Sequence, residues 1–119
     1  GATDAQSGIG HQLYELIKAK DYEATTKLFS DKFFEVTDKE KLFKIFTITN
    51  TKLGEMLGSE IEAWETKSTK GTNASTNYVF LYKITYEHFQ SKETIRLIKE
   101  NDGVIRIISY NVDSEGFLN

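Results

Sequence analysis

Four tyrosines, one tryptophan and one histidine stand out in this 119-residue chain as the side chains whose types and spacing suit chemistry. Tyr78, Tyr82, Tyr86 and His88 recur at even spacings within one stretch, so an extended chain places them on one side. Tyr110 belongs to a second such stretch. A tyrosine hydroxyl shut away from water donates a strong hydrogen bond to a ligand carbonyl or a developing oxyanion. A histidine near neutral pKa takes a proton from a bound substrate. Trp64 supplies a flat apolar wall. Each also has a plain packing role: tyrosine rings on a sheet face with hydroxyls at a wet rim, a lone structural tryptophan, a surface histidine before the Phe89-Gln90-Ser91-Lys92 turn. Trp64, Tyr78, Tyr82, Tyr86, His88 and Tyr110 therefore form a pocket-lining set, and no catalytic residue is assigned.

The remaining candidates carry less. His11 lies off the apolar line of its helix and is too far in sequence from His88 to form a metal-spacing motif. Glu60, Glu62 and Glu65 make a local acidic cluster, with Glu60 and Glu62 on one strand face, but paired carboxylates for hydrolysis need a defined separation across a cleft. Asn101-Asp102-Gly103 offers oxygen ligands, yet it is a better hairpin turn than a calcium loop. Gly8 and Gly10 follow no strand and form no phosphate loop. With no cysteine in the chain there is no disulfide, thiolate metal site or thiol nucleophile. No cofactor and no metal are expected.

Charge narrows the partners. Eighteen acidic and fifteen basic residues give a net charge of -3, and only Arg96 and Arg106 among the cations offer the forked geometry that grips phosphates. Nucleic acid is not an expected partner. No run of apolar residues is long enough for a membrane span. Gly1 in place of methionine suggests a leader removed by processing or engineering. Asn73-Ala74-Ser75 matches a glycosylation sequon, a three-residue pattern that chance supplies often.

These side chains need a frame to hold them. Residues 1–8 are small and polar and read as a flexible leader. Ile9, Leu13, Leu16, Ile17 and Lys20 mark a helical face. Asp21 is a cap for a second helix through Tyr22, Thr25, Leu28 and Phe29. Residues 31–36 read as an extended link or a stub of strand. Thr37 and Glu40 form a capping box for a third helix, with Leu42, Ile45, Phe46, Thr49 and Leu53 on its apolar side and Gly54 at its end. After Gly58 the period becomes two. Strands are predicted over 60–69, 78–87, 93–99 and 104–112, the last pair joined by Asn101-Asp102-Gly103. In the last strand Val104, Arg106, Ile108, Tyr110 and Val112 share a face, opposite Ile105 and Ile107. Helices first and then hairpin-linked strands predict an α+β domain over 9–113, with a tail at 114–119.

The strand half carries a resemblance. Leu53-Gly54 closes a helix, Trp64 sits in the first long strand, and Tyr78-Val79-Phe80-Leu81-Tyr82-Lys83-Ile84-Thr85-Tyr86 is followed by Lys92-Glu93-Thr94. Asp102-Gly103-Val104-Ile105-Arg106-Ile107-Ile108-Ser109-Tyr110 then completes the series. This order resembles small exported bacterial proteins of unknown function with a cystatin-like fold, within the superfold of nuclear transport factor two and ketosteroid isomerase. The resemblance implies N-terminal helices packed on a curved antiparallel sheet of about four strands, enclosing a conical cavity. It also implies export to the periplasm or cell surface, with a lipid anchor on a removed leader; a cytoplasmic location is the alternative. Enzymes of the superfold carry a cavity aspartate or an aspartate–histidine pair that cannot be placed here, and Ile107 stands where relatives often carry tryptophan. The expected function is a non-catalytic domain, monomeric or homodimeric, that binds a small apolar molecule or a protein partner. One alternative is a small cavity enzyme of the isomerase or dehydratase type; another is assembly through an exposed sheet face.

Overall fold

The computed structural model describes residues 2–71 and 75–118, with the side chains of residues 2–6 left aside; the sequon at Asn73-Ala74 lies outside them. Four helical segments come first: α1 (Ala2–Lys18), the single turn α2 (Tyr22–Thr25) running into a 3-10 turn, α3 (Asp31–Val36) and α4 (Lys39–Leu53). Four strands follow: β1 (Met56–Thr69), β2 (Ser75–Tyr86), β3 (Gln90–Lys99) and β4 (Ile105–Asp113). They form one sheet in the order β1-β2-β3-β4, every neighbouring pair antiparallel. The helices pack on one face of that sheet, so the α+β expectation stands at this level.

Local chemistry explains where each element begins. α1 starts at Ala2, inside the stretch read as a leader. Its buried line is Gly10, Leu13 and Tyr14, with Ile17 partly covered; the apolar face is thus rotated from the Ile9–Leu16 line. Asp21 occupies the N-cap position of α2 without a side-chain cap bond. Residues 31–36 are a helix and not a strand stub. The Ser30 hydroxyl accepts from Lys32 N at 3.1 Å, and this cap outweighs the strand preference of Phe33, Phe34 and Val36. The cap of α4 is Asp38 and not Thr37: Asp38 Oδ1 accepts from Lys41 N at 2.8 Å. A carboxylate is a strong cap and is also favoured by the positive end of the helix dipole. Gly54 ends α4 with φ +92°, a backbone state that glycine adopts without a Cβ clash.

Three register shifts reshape the strand faces. In β4, Leu97 faces Ile107 while Arg96 faces Ser109, so Ile108 is an extra residue. The period-two reading had put Ile107 and Tyr110 on opposite faces. The bulge brings both inward, where both are buried. In β1 the register slips between Met56 and Gly58 and again between Ile61 and Ala63, which is why its faces look mixed in sequence. The core lies between the helices and one face of β2–β4, built around Leu13, Phe46, Leu53, Phe80, Ile84, Ile95, Leu97 and Ile107. Residues 114–118 are docked: Gly116 is buried against Leu53 and Phe89.

Candidate functional site

The inward face of β3 reads Ser91, Glu93, Ile95, Leu97, and all four are buried. Glu93 is a charged residue type at 0% exposure in the middle of the sheet. Three phenols supply its hydrogen bonds. Tyr14 and Tyr110 hydroxyls each donate to Oε1 at 3.0 Å. The Tyr86 hydroxyl donates to Oε2 at 2.7 Å. They come from α1, β4 and β2, so the cluster ties the helix layer to both neighbours of the strand that carries the acid.

Burial governs its electrostatics. Loss of water raises the Glu93 carboxyl above its ordinary range, against the opposing pull of the hydroxyls that favour the carboxylate. Burial and the nearby Glu93 together hold Tyr14, Tyr86 and Tyr110 well above the ordinary phenol value. Tyr82 is pushed up to about 12 by burial. One hydroxyl beside this cluster is left over: Tyr82 Oη is buried and has no hydrogen-bond partner, whereas the Ser91 hydroxyl adds to the pull that favours the Glu93 carboxylate. Tyr82 points at α1, where a Cβ on Gly10 would collide with its hydroxyl. Its ring meets that of Tyr14 at 5.0 Å between centroids, tilted by 60°.

The chamber is nearly full. A void of about 10 Å³ lies among Ile17, Tyr22, Phe46, Thr49, Tyr86 and Tyr110, room for at most one water.

The six pocket-lining residues separate in the structure. Tyr82, Tyr86 and Tyr110 meet around Glu93. Tyr78 is buried on the same face of β2 but further along, opposite Leu97. Trp64 pairs with Phe80 across β1–β2, yet it is 57% exposed and walls no chamber. His88 is exposed in the turn after β2 and does not share the tyrosine chamber. It lines instead an outer groove of about 540 Å³ with Lys83, Phe89, Gln90, Lys92, Asp113 and Glu115. The acidic cluster on β1 is matched by lysines: Glu60 by Lys83 at 3.2 Å, Glu62 by Lys92 at 4.0 Å and Glu65 by Lys67 at 3.7 Å.

Sequence reasoning missed Glu93 and Tyr14. The signal for Glu93 was present: Ile95 and Leu97 share a face, and the same alternation carries back through Glu93 to Ser91. Tyr14 lies four residues after Gly10 and one after Leu13, on a helical line that looks weaker because it begins with glycine.

Among the described residues no group of His, Cys, Asp and Glu is arranged to hold a metal ion, and no helix is long and apolar enough to cross a membrane. No protein-family model matches the chain, and no curated protein does. Among solved structures, ActVI-ORFA from Streptomyces coelicolor is similar over 97% of this chain and 98% of its own, with a TM-score of 0.58 and 8% sequence identity. At that identity the likeness shows a shared fold, helices on a four-stranded antiparallel sheet. That arrangement is the coarse architecture that the resemblance implies.

Proposed function

We propose that this domain is a non-catalytic binding module that takes a small, mostly apolar molecule between α1 and the sheet, in a chamber that must open to admit it because its closed form holds at most one water. The observation that carries the reading is the convergence of Tyr14, Tyr86 and Tyr110 on the fully buried Glu93. A buried carboxyl costs stability that a well-packed apolar residue would not, and strongly shifted groups gather at functional sites. The unpartnered Tyr82 hydroxyl is a donor for a ligand oxygen. The exported setting and the cystatin-like family belong to the same proposal, supported by the resemblance alone.

A thermal-shift screen of small carbonyl and hydroxyl compounds tests the reading, followed by Tyr82→Phe and His88→Ala. Tyr82→Phe deletes a hydroxyl that bonds to nothing, so the empty protein should be no less stable. Ligand stabilisation that survives His88→Ala and weakens in Tyr82→Phe supports a binding chamber. Turnover of a screened compound, abolished by Glu93→Gln, would replace it with the enzyme alternative.

A second reading, assembly of two copies through the sheet edge, has its own observation. Leu57, Ile61 and Trp64 stand 61%, 42% and 57% exposed along one edge strand, and such edges invite pairing. Sedimentation of the wild type and of Trp64→Ser decides it: a dimer that the substitution dissociates supports assembly, and a monomer at all concentrations removes it.

A further inference from the structure

The Tyr14 side chain is, chemically, 4-methylphenol carried on a helix. Its ring lies against Tyr82 and its hydroxyl donates to Glu93 Oε1 at 3.0 Å. Building on the binding-module reading, we infer that the chamber is a phenol site whose built-in occupant is Tyr14, and that a free phenol binds by displacing the middle of α1.

Three features point the same way. The other two donors to Glu93, Tyr86 and Tyr110, sit on β2 and β4, paired in the sheet ladder with Met56 and Ile95; Tyr14 comes from the helix laid over them. The seam between α1 and the sheet also carries a misfit. The Tyr82 hydroxyl is buried against Gly10 with no partner, a desolvation cost that lifting α1 removes. Finally, the donor–acceptor pattern selects the ligand. Tyr86 and Tyr110 already donate to Glu93, so an incoming group that itself donates to Oε1 replaces the Tyr14 bond one for one. A carboxylate or phosphate would bring a second charged acceptor beside the Glu93 carboxyl, with only the Tyr82 hydroxyl left to donate to it. A phenol fits, and a benzoate or a bare arene does not.

The test is a titration of the whole protein with 4-methylphenol, toluene and benzoate, followed by NMR with amide hydrogen exchange. The expected result is saturable binding of 4-methylphenol, weaker binding of the other two, and faster exchange at the α1 amides of residues 13–17 when the phenol is bound. Tyr14→Phe removes the hydroxyl that competes for Glu93 and should bind 4-methylphenol about three- to tenfold more tightly, the worth of roughly one hydrogen bond. Equal binding of toluene and 4-methylphenol overturns the inference. So does an unchanged affinity in Tyr14→Phe, or unaltered α1 exchange in the wild type should that variant fold poorly. If phenols fail while a carbonyl compound binds with sensitivity to Tyr82→Phe, the phenol assignment falls and the binding module stands. A screen that finds no ligand of any class brings down both.

Discussion

β1 and β2 are paired residue to residue for most of their length, yet they live in different solvents. Trp64 and Phe80 face each other across the ladder; one is 57% exposed and the other 2%. Along β1 only Met56 is buried, whereas every second residue from Tyr78 to Tyr86 is. Strand chemistry does not account for this, since both carry aromatic and β-branched residues. The cover does: the helices reach across β2–β4 and stop short of the edge strand. A residue's energetic weight here therefore depends on the second layer more than on its partner in the sheet.

The sharpest way to break that contrast is to truncate the facing pair. Phe80→Ala should cost about 3–5 kcal/mol, through lost burial and the cavity left behind. Trp64→Ala should change stability by no more than about 0.5 kcal/mol. Urea melts measure both, and comparable losses would mean that β1 is covered in solution. Next in size, the covering layer itself is tested by Phe46→Ala and Leu53→Ala, each expected to cost about 2–5 kcal/mol. Lys44, exposed on the same helix, should tolerate alanine within about 0.5 kcal/mol.

The third test uses pH to probe the covered side. Burial raises the Glu93 carboxyl in the folded state. The stability this contributes is fully present below the unfolded carboxyl value, near pH 4.3, and is lost as pH rises through the folded value. Melts of the wild type and Glu93→Gln from pH 4 upward should diverge in that direction. The wild type should lose ground to the variant by at most about 1.4 kcal/mol per pH unit. Parallel curves would mean that the carboxyl is not shielded. The smallest effect is at the start of α4. Asp38→Ala should cost about 1 kcal/mol, and Thr37→Ala about 0.5 kcal/mol or less, by the same melts. The reverse order would restore the threonine cap.

What could be read from sequence follows the same division. The alternation of Tyr78, Phe80, Tyr82, Ile84 and Tyr86 is regular because nothing interrupts β2, and their shared face was plain. The faces of β1 and β4 were obscured by bulges, which shift period two by one residue and leave no signature in residue type. Glu93 was passed over because a charged residue suggests solvent until its phenol donors are known, and they come from 79 and 7 residues before it and 17 residues after it. At residues 37–38 two good capping residues stand side by side, and composition alone does not choose between them. The helix at 31–36 depended on Ser30, whose hydroxyl also donates to Glu100 at 2.8 Å, a contact between distant parts of the chain.

The strand order β1-β2-β3-β4 also has a consequence for how fast the molecule assembles. Each strand pairs with its neighbour in sequence, so the sheet can close through short hairpin loops with little entropy spent on long ones. The costly step is the return of the N-terminal segment, marked by the parallel bridge between Phe29 and Ile107. With no proline in the chain, refolding has no prolyl isomerisation to wait for. The slowest kinetic phase should therefore report the docking of the helices onto a sheet already zipped.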